Sequence, residues 1–376
     1  MKEKTLSVTL NDQRNYGIDL LRLISMFMVV VLHVLGKGGV LNHVQDLSVK
    51  GEIVWFLEIS CYCAVNIFAI ISGVVGLKAK HKFSNLILLC IQLTFYAVII
   101  TGIDIALAIG NGTDISLKGI LFNMFPSVRD VWYFSAYFCL FFFMPLLNAI
   151  IENVPRKVLK TSAVFVFLVF CCFAQVYTRV ANLNGGYSVL WLAILYLLGA
   201  YIAKYDPFKN ISFTKGTLAF WICTAFTSLS RIGFGYLDES KIRILVSYTS
   251  PTIVLAAVFM VCAFKALTLS NTAKIMIALL APMSFGVYLI HCHPFVFGKM
   301  VDSFVWLADK PAYVVLLIVL AVSFAIFAAC LLLDWIRIQL FQACRMKQLS
   351  LWIERVIGKI STRILRVFHV TMSDEQ

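Results

Sequence analysis

Charge is what this 376-residue chain has least of. Asp, Glu, Lys and Arg together fill 14% of positions, against 61% for hydrophobic residues. A water-soluble domain cannot hide that much apolar surface from solvent. Strand-like alternation of polar and apolar residues is also missing. The apolar runs are apolar on all sides, which argues against a closed β-barrel. There is no internal repeat, no low-complexity tract and no stretch long enough to fold as a separate soluble domain. The eleven cysteines form no paired Cys-x-x-Cys set with metal-ligand spacing, and nearly all lie inside apolar runs. They read as small packing thiols.

What is present is a series of long apolar segments. A helix crosses the hydrocarbon in roughly 20 residues. Segments at about 17–36, 52–77, 84–110, 130–151, 158–178, 187–204, 215–235, 245–268, 272–298 and 312–336 predict an all-α membrane protein, a polytopic bundle of about ten transmembrane helices. The first segment is too long for a cleaved signal peptide and is followed by no small-residue cleavage site. Two regions follow from this pattern: a transmembrane bundle over 1–336, and a basic C-terminal segment over 337–376. That segment interleaves Arg and Lys with Leu, Ile, Phe and Trp. It reads either as an amphipathic helix on the inner leaflet or as a helix packed on the bundle.

The net charge of +13 raises the question of nucleic acid, and its distribution argues against it. With connections assigned alternately inside and outside, 21 of the 32 basic residues fall in one set and nine in the other; Arg22 and Arg231 lie within spans. This is the positive-inside pattern, and it predicts a multi-pass membrane protein with both termini cytoplasmic.

Function then has to reside in polar groups within the membrane, where each is expensive. In the first span Arg22 and His33 are eleven residues apart, close to three helical turns, so they share a face about 16 Å apart along the axis. Asp19 stands three residues before Arg22 and can pair with it. One reading is that Arg22 and His33 snorkel to opposite headgroup layers. The other is a cation for an anionic ligand at the inner level and a titratable base at the outer. Glu58, Asp104 and His291 fall at the same outer depth as His33, and Trp132 and Tyr133 open the fourth span there. Together they predict a polar chamber that binds substrate. The run His291-Cys292-His293 is poor metal-ligand spacing on a helix, since adjacent residues point to different faces, so no metal site is expected. Lys78, Lys80 and Lys82 join Arg22 as cations on the inner side.

The segment Gly17-Ile-Asp19-Leu-Leu-Arg22, followed by Val-Val-Val-Leu-His33, resembles the first helix of the acyltransferase-3 family of integral membrane acyltransferases. Three further segments are similar to later parts of that family, in order: Ala64-Val-Asn66-Ile-Phe68-Ala-Ile-Ile-Ser72-Gly73, Trp132-Tyr133 through Tyr137 to Pro145-Leu-Leu-Asn148, and Ser284-Phe-Gly-Val-Tyr288-Leu-Ile-His291. The fourth-span segment is similar to the variant seen in members encoded with capsule, exopolysaccharide and O-antigen genes. The resemblance implies transfer of an acyl group, usually acetyl, from cytoplasmic acyl-CoA to a carbohydrate hydroxyl or its lipid-linked precursor. Acyl-CoA is then a co-substrate, with no tightly bound cofactor. The resemblance also carries over His33 as catalytic, Arg22 as a CoA-side or structural residue, and His291 as an active-site residue. Many family members have an Arg-x-x-Arg pair where this chain has Lys78, Lys80 and Lys82, which can attract CoA phosphates only as point charges. The soluble hydrolase-like domain of some relatives is absent from the sequence. A ten-span carrier and a non-catalytic sensor are the competing readings; carriers often show two matching halves with broken helices, which are not evident here.

Overall fold

The computed structural model describes residues 10–11, 13–113, 116–124, 131–175 and 183–373, and every regular element among them is helical. Helix α1 (Tyr16–Gly36) begins where the Asn15 side chain accepts from the Ile18 N–H at 3.0 Å, filling one of the free donors of a first turn. It runs through the middle of the bundle, touching helices from both halves of the chain. Gly39, at φ +87°, then turns the chain into the short α2 (Val40–His43), a conformation glycine adopts without steric cost.

The second span is a single 28-residue stretch broken at Tyr62 and Cys63 into α3 (Val49–Cys61) and α4 (Ala64–Gly76). Next come α5 (Phe83–Gly110), α6 (Leu117–Met124), α7 (Trp132–Asn153) and α8 (Arg156–Phe167). Helix α8 continues through a π turn at Leu168–Cys172 and a 3-10 turn to Gln175. Helices α9 (Val189–Tyr205), α10 (Phe213–Leu237) and α11 (Pro251–Lys265) complete the middle of the chain. Helices α12 (Asn271–Leu280) and α13 (Ser284–His291) form one span joined by a 3-10 turn at Ala281–Met283. The chain then passes through α14 (Pro294–Met300), α15 (Ala312–Ala343) and α16 (Met346–Ser373).

Small residues set the closest approaches, as expected where lipid removes the hydrophobic drive between helices. A Cβ on Gly73 would lie 1.9 Å from the Tyr196 carbonyl oxygen, and one on Gly199 2.0 Å from that of Ile70. The backbones of α4 and α9 therefore touch at two levels. At the rim, α8 buries no residue over Arg156–Phe167, and α7 and α15 turn Phe142, Leu146, Leu317 and Leu332 outward, a surface suited to lipid tails.

Each of the ten expected spans contains helix among its described residues, and eight of these stretches are long and apolar enough to cross a membrane. The other two are shorter: α9 has 17 residues and α11 has 15. Fifteen residues rise only about 22 Å, less than the roughly 30 Å hydrocarbon thickness. In place of the helix expected from residue 245, a loop runs through Tyr248 to Pro251, held where the Asn66 amide donates to the Tyr248 carbonyl at 2.7 Å. Non-helical backbone at such depth is tolerated when protein satisfies its polar groups.

One charged residue sits differently from the charge count, and another keeps its place within a span. Arg337 is no connection residue. It lies inside α15, past the expected bundle limit at 336, buried and donating to Asp334 at 2.6 and 3.1 Å. Asp334 also accepts from Gln92 and Tyr96 of α5. Arg231 is fully buried in α10, bonded to Asp46 and Glu52 and lying 4.3 Å from the Trp55 ring centroid. The C-terminal segment forms α16, which packs along α5.

Candidate active site

Helix α1 places Arg22 and His33 on one cavity of 770 Å³, so the shared face read from their spacing is a shared chamber. The chamber is open along its length and is lined by α1, α3, α4, α7, the α12–α13 span and two loops. Arg22 marks one end. Its Nη1 donates to Asp19 at 3.1 Å, and Asp19 accepts from Arg14 Nε at 2.5 Å on its other oxygen. One carboxylate thus serves two guanidiniums, leaving a net cation at this end with Arg22 facing the chamber.

His33 marks the other end and does not stand alone. Its Nδ1 lies 2.9 Å from His291 Nε2, and His291 Nδ1 lies 2.5 Å from the Val287 carbonyl oxygen. A carbonyl only accepts, so His291 carries its proton on Nδ1 and presents a lone pair at Nε2. His33 must then donate from Nδ1, which leaves His33 Nε2 unprotonated. The tautomer is fixed by the outermost partner in the chain. The carbonyl that anchors it belongs to the last turn of α13, the negative end of that helix, which favours positive charge arriving at the pair. Phe297 packs edge-on against His33 at 5.0 Å between centroids.

Around His33 the wall is aromatic. Trp132 and Tyr187 centroids are 4.6 Å apart, Tyr187 and Tyr248 5.1 Å, and Tyr62 and Tyr248 5.1 Å. Tyr133 is part of the same wall, its N–H donating to the Tyr288 hydroxyl at 3.3 Å. Glu58 faces the chamber from α3. It is buried, and its Oε2 has no hydrogen-bond partner among the described residues. Arg243, 5.0 Å from the Trp55 ring, is the cation whose field reaches it. A buried carboxylate oxygen without a donor is costly, and Glu58 borders the chamber.

Of the residues singled out from sequence, Arg22, His33, Glu58, Trp132 and Tyr133 line the chamber, and His291 stands directly behind His33. Asp104 does not reach it. It accepts from Asn123 of α6 at 3.1 Å and is not part of the lining, to which α5 contributes Leu89, about 22 Å earlier along the helix. Depth along a single helix follows from sequence, but which of its residues border a cavity depends on how the helices pack. Lys80 and Lys82 are exposed and line a separate 270 Å³ pocket with Lys347, Ser84, Asn85 and Ser350. Lys78 is exposed in the same loop outside that pocket. The connection carrying the three lysines follows α4, antiparallel to α1, and so lies at the Arg22 end.

Tyr62, Tyr187 and Tyr248 also line the chamber without having been singled out, and so does Cys292, which was expected to face away from His291. Tyr187 and Tyr248 come from the loops ahead of the two short helices. Asn66, buried within α4, ties both loops down: it donates to the Tyr248 carbonyl and accepts from Trp191 Nε1 at 3.1 Å. The sequence signal for this arrangement is an asparagine in an apolar span, which has to find partners somewhere. The expectation that His291 and Cys292 face apart fails because α13 ends at His291. Cys292 is its C-cap, and its Sγ lies 3.4 Å from His291 Nε2 and 3.8 Å from His33 Nδ1. His293 does turn away, accepting from the Phe295 N–H at the start of α14.

A family model described as an acyltransferase domain, acyltransferase-3, matches residues 15–335. No curated protein and no solved structure matches the chain.

Proposed function

Since the chain belongs to the acyltransferase-3 family and is a membrane acyltransferase, we propose that it moves an acetyl or similar short acyl group from acyl-CoA to a hydroxyl of a cell-surface carbohydrate or its lipid-linked precursor. The observation that carries this reading is the single chamber with Arg22 at one end and a base-ready His33 at the other. In this scheme the protein sits in the bacterial inner membrane with both termini cytoplasmic. The Arg22 end and the lysine loop then face the pool of acyl-CoA.

The anionic parts of CoA dock near Arg22 and the lysine-lined pocket, with Lys347 added to Lys80 and Lys82 as a source of positive charge. The pantetheine arm extends along the face of α1 and brings the thioester to His33. A sugar hydroxyl, held against Trp132, Tyr187 and Tyr248 and donating to Glu58, approaches from the other side. His33 Nε2 takes the hydroxyl proton as the oxygen attacks the thioester carbonyl. The tetrahedral adduct collapses with cleavage of the C–S bond, and the departing CoA sulfur takes the proton from His33. Positive charge on His33 is passed towards His291 and the end of α13. No tightly bound cofactor enters this scheme.

Family membership favours acyl transfer over a carrier. The test is acyl transfer by purified protein from labelled acetyl-CoA, paired with the acetyl content of surface glycan in cells that make normal amounts of His33→Ala protein. Loss of both is the expected result. Unchanged glycan acetylation in that variant would remove His33 from the mechanism.

A further inference from the structure

The atoms around His33 meet the requirements of a second kind of ligand. His33 Nδ1, His291 Nε2 and Cys292 Sγ lie within 4.8 Å of one another, at separations of 2.9, 3.4 and 3.8 Å. These separations define a point about 2 Å from all three, against zinc–nitrogen bonds of about 2.0–2.1 Å and a zinc–sulfur bond of about 2.3 Å. An outward shift of the sulfur by a few tenths of an ångström, ~0.3 Å, brings all three into range.

A second observation is independent of those separations. Histidines that ligate metals characteristically donate their other ring N–H to a carbonyl or carboxylate, which fixes the ring and turns a lone pair to the ion. His291 already does this through Nδ1 and the Val287 carbonyl, so its Nε2 carries no proton and faces the cluster, where His33 Nδ1 is its present partner. His33 and Cys292 both line the chamber, so an ion here has a route of entry and a coordination position open to the chamber.

We propose that His33, His291 and Cys292 form a binding site for a thiophilic cation, Zn²⁺ or its soft surrogate Cd²⁺, and that occupancy switches the acyltransferase off. One thiolate with two imidazoles is a borderline-soft donor set that favours such ions over Mg²⁺ or Ca²⁺. The proton balance follows from the tautomers. Cys292 gives up its thiol proton to solvent as the metal–sulfur bond forms. His33 moves its proton from Nδ1 to Nε2 so that Nδ1 can bind. His291 changes nothing. With its proton on Nε2, His33 has no lone pair facing the substrate, and general-base action stops. Binding stands on the geometry alone, whereas inhibition rests on the reading of His33 as the base.

The full-length protein in nanodiscs, titrated with Cd²⁺, should develop a thiolate-to-cadmium charge-transfer absorption that saturates at one ion per chain. Cys292→Ser should abolish that absorption and weaken binding by about tenfold or more. Whatever acyl transfer the variant retains without metal should resist Zn²⁺ concentrations that silence the wild type. His293→Gln, next in sequence but outside the cluster, should titrate as the wild type does. Thermal unfolding checks that each variant is folded, and Cys292→Ala stands in if the serine variant is not. No thiolate band in the wild type, or a band that survives in Cys292→Ser, overturns the site. A normal band with acyl transfer unaffected by saturating metal would overturn the inhibition, and the role of His33 with it, while leaving the site in place.

Discussion

The two ends of the chamber are built from opposite materials. At the Arg22 end charge is plentiful and already organised: Arg14 and Arg22 share Asp19, and basic side chains stand nearby in the connection after α4. At the His33 end the polar groups are neutral rings in a fixed hydrogen-bond chain, one carboxylate oxygen lacks a donor, and the wall is aromatic. The first end suits a polyanion, whose phosphates meet cations directly. The second suits a neutral polyol, which offers hydroxyl donors and apolar ring faces. A chamber with one such end would bind a ligand. A chamber with both, about 16 Å apart on one helix face, can bring a charged donor and an uncharged acceptor to a common point.

Breaking the His33 end should have the largest effect. In His33→Ala, kcat should fall by about 10²–10⁴-fold, the usual contribution of general-base catalysis, with little change in KM for acyl-CoA. If KM moved instead, the division between the ends would be wrong. Breaking the other end should give the complementary result. Arg22→Ala should raise KM for acyl-CoA roughly ten- to a hundredfold, corresponding to the ~1.5–3 kcal/mol of a charge-assisted hydrogen bond, while kcat holds. Steady-state kinetics in both substrates reads the two variants together.

His291 is a positioning residue in this scheme, and it sharpens the comparison. His291→Ala should cost on the order of tenfold to a hundredfold in kcat, the scale of a misdirected catalytic group. His291→Gln, whose side-chain oxygen can still accept from His33 Nδ1, should recover part of that loss. Equal damage from both variants would mean that His291 only fills space. A smaller effect is expected in the aromatic wall. Tyr248→Ala should raise KM for the carbohydrate acceptor by roughly two- to tenfold, in line with ~0.5–1.5 kcal/mol for an aromatic contact, and leave KM for acyl-CoA alone.

The smallest effect should come from a group at neither end. Hydrogen bonding to Ser84 at the start of α5 holds the Glu354 carboxyl of α16 below its usual range. A carboxylate with a depressed pKa stabilises the folded arrangement above its unfolded pKa and loses that contribution as pH falls through the folded value. Proteolytic cutting at the turn between α15 and α16 should therefore rise only in acid. Glu354→Gln should show the acid behaviour already at neutral pH, with acyl transfer unchanged.

The parts of this arrangement visible in sequence are those a single helix determines. The ten apolar runs are mostly helical, and the eleven-residue spacing of Arg22 and His33 makes a shared face, because helical periodicity is local. How helices pack around a cavity is not local, so Asp104, which pairs with Asn123 of α6, falls outside the lining. Tyr187 and Tyr248 escaped notice because their loops are positioned by Asn66, more than 120 residues away in sequence. Cys292 escaped because the rule that adjacent side chains diverge holds within a helix, and the helix stops one residue earlier. Arg337 was taken for a surface charge because nothing local reveals that Asp334 is buried beside it with Gln92 and Tyr96.

The two short helices have a consequence for the acceptor. A helix shorter than the hydrocarbon core stops below the level of its longer neighbours. Helices α9 and α11 are largely buried among those neighbours, so their short ends would leave a dip in the bundle at the ring of Tyr187 and Tyr248. A glycan chain of any length could then lay one residue over the dip and expose a single hydroxyl to His33. The rest of the polymer would stay in water throughout, and its bulk would never have to be accommodated by the protein.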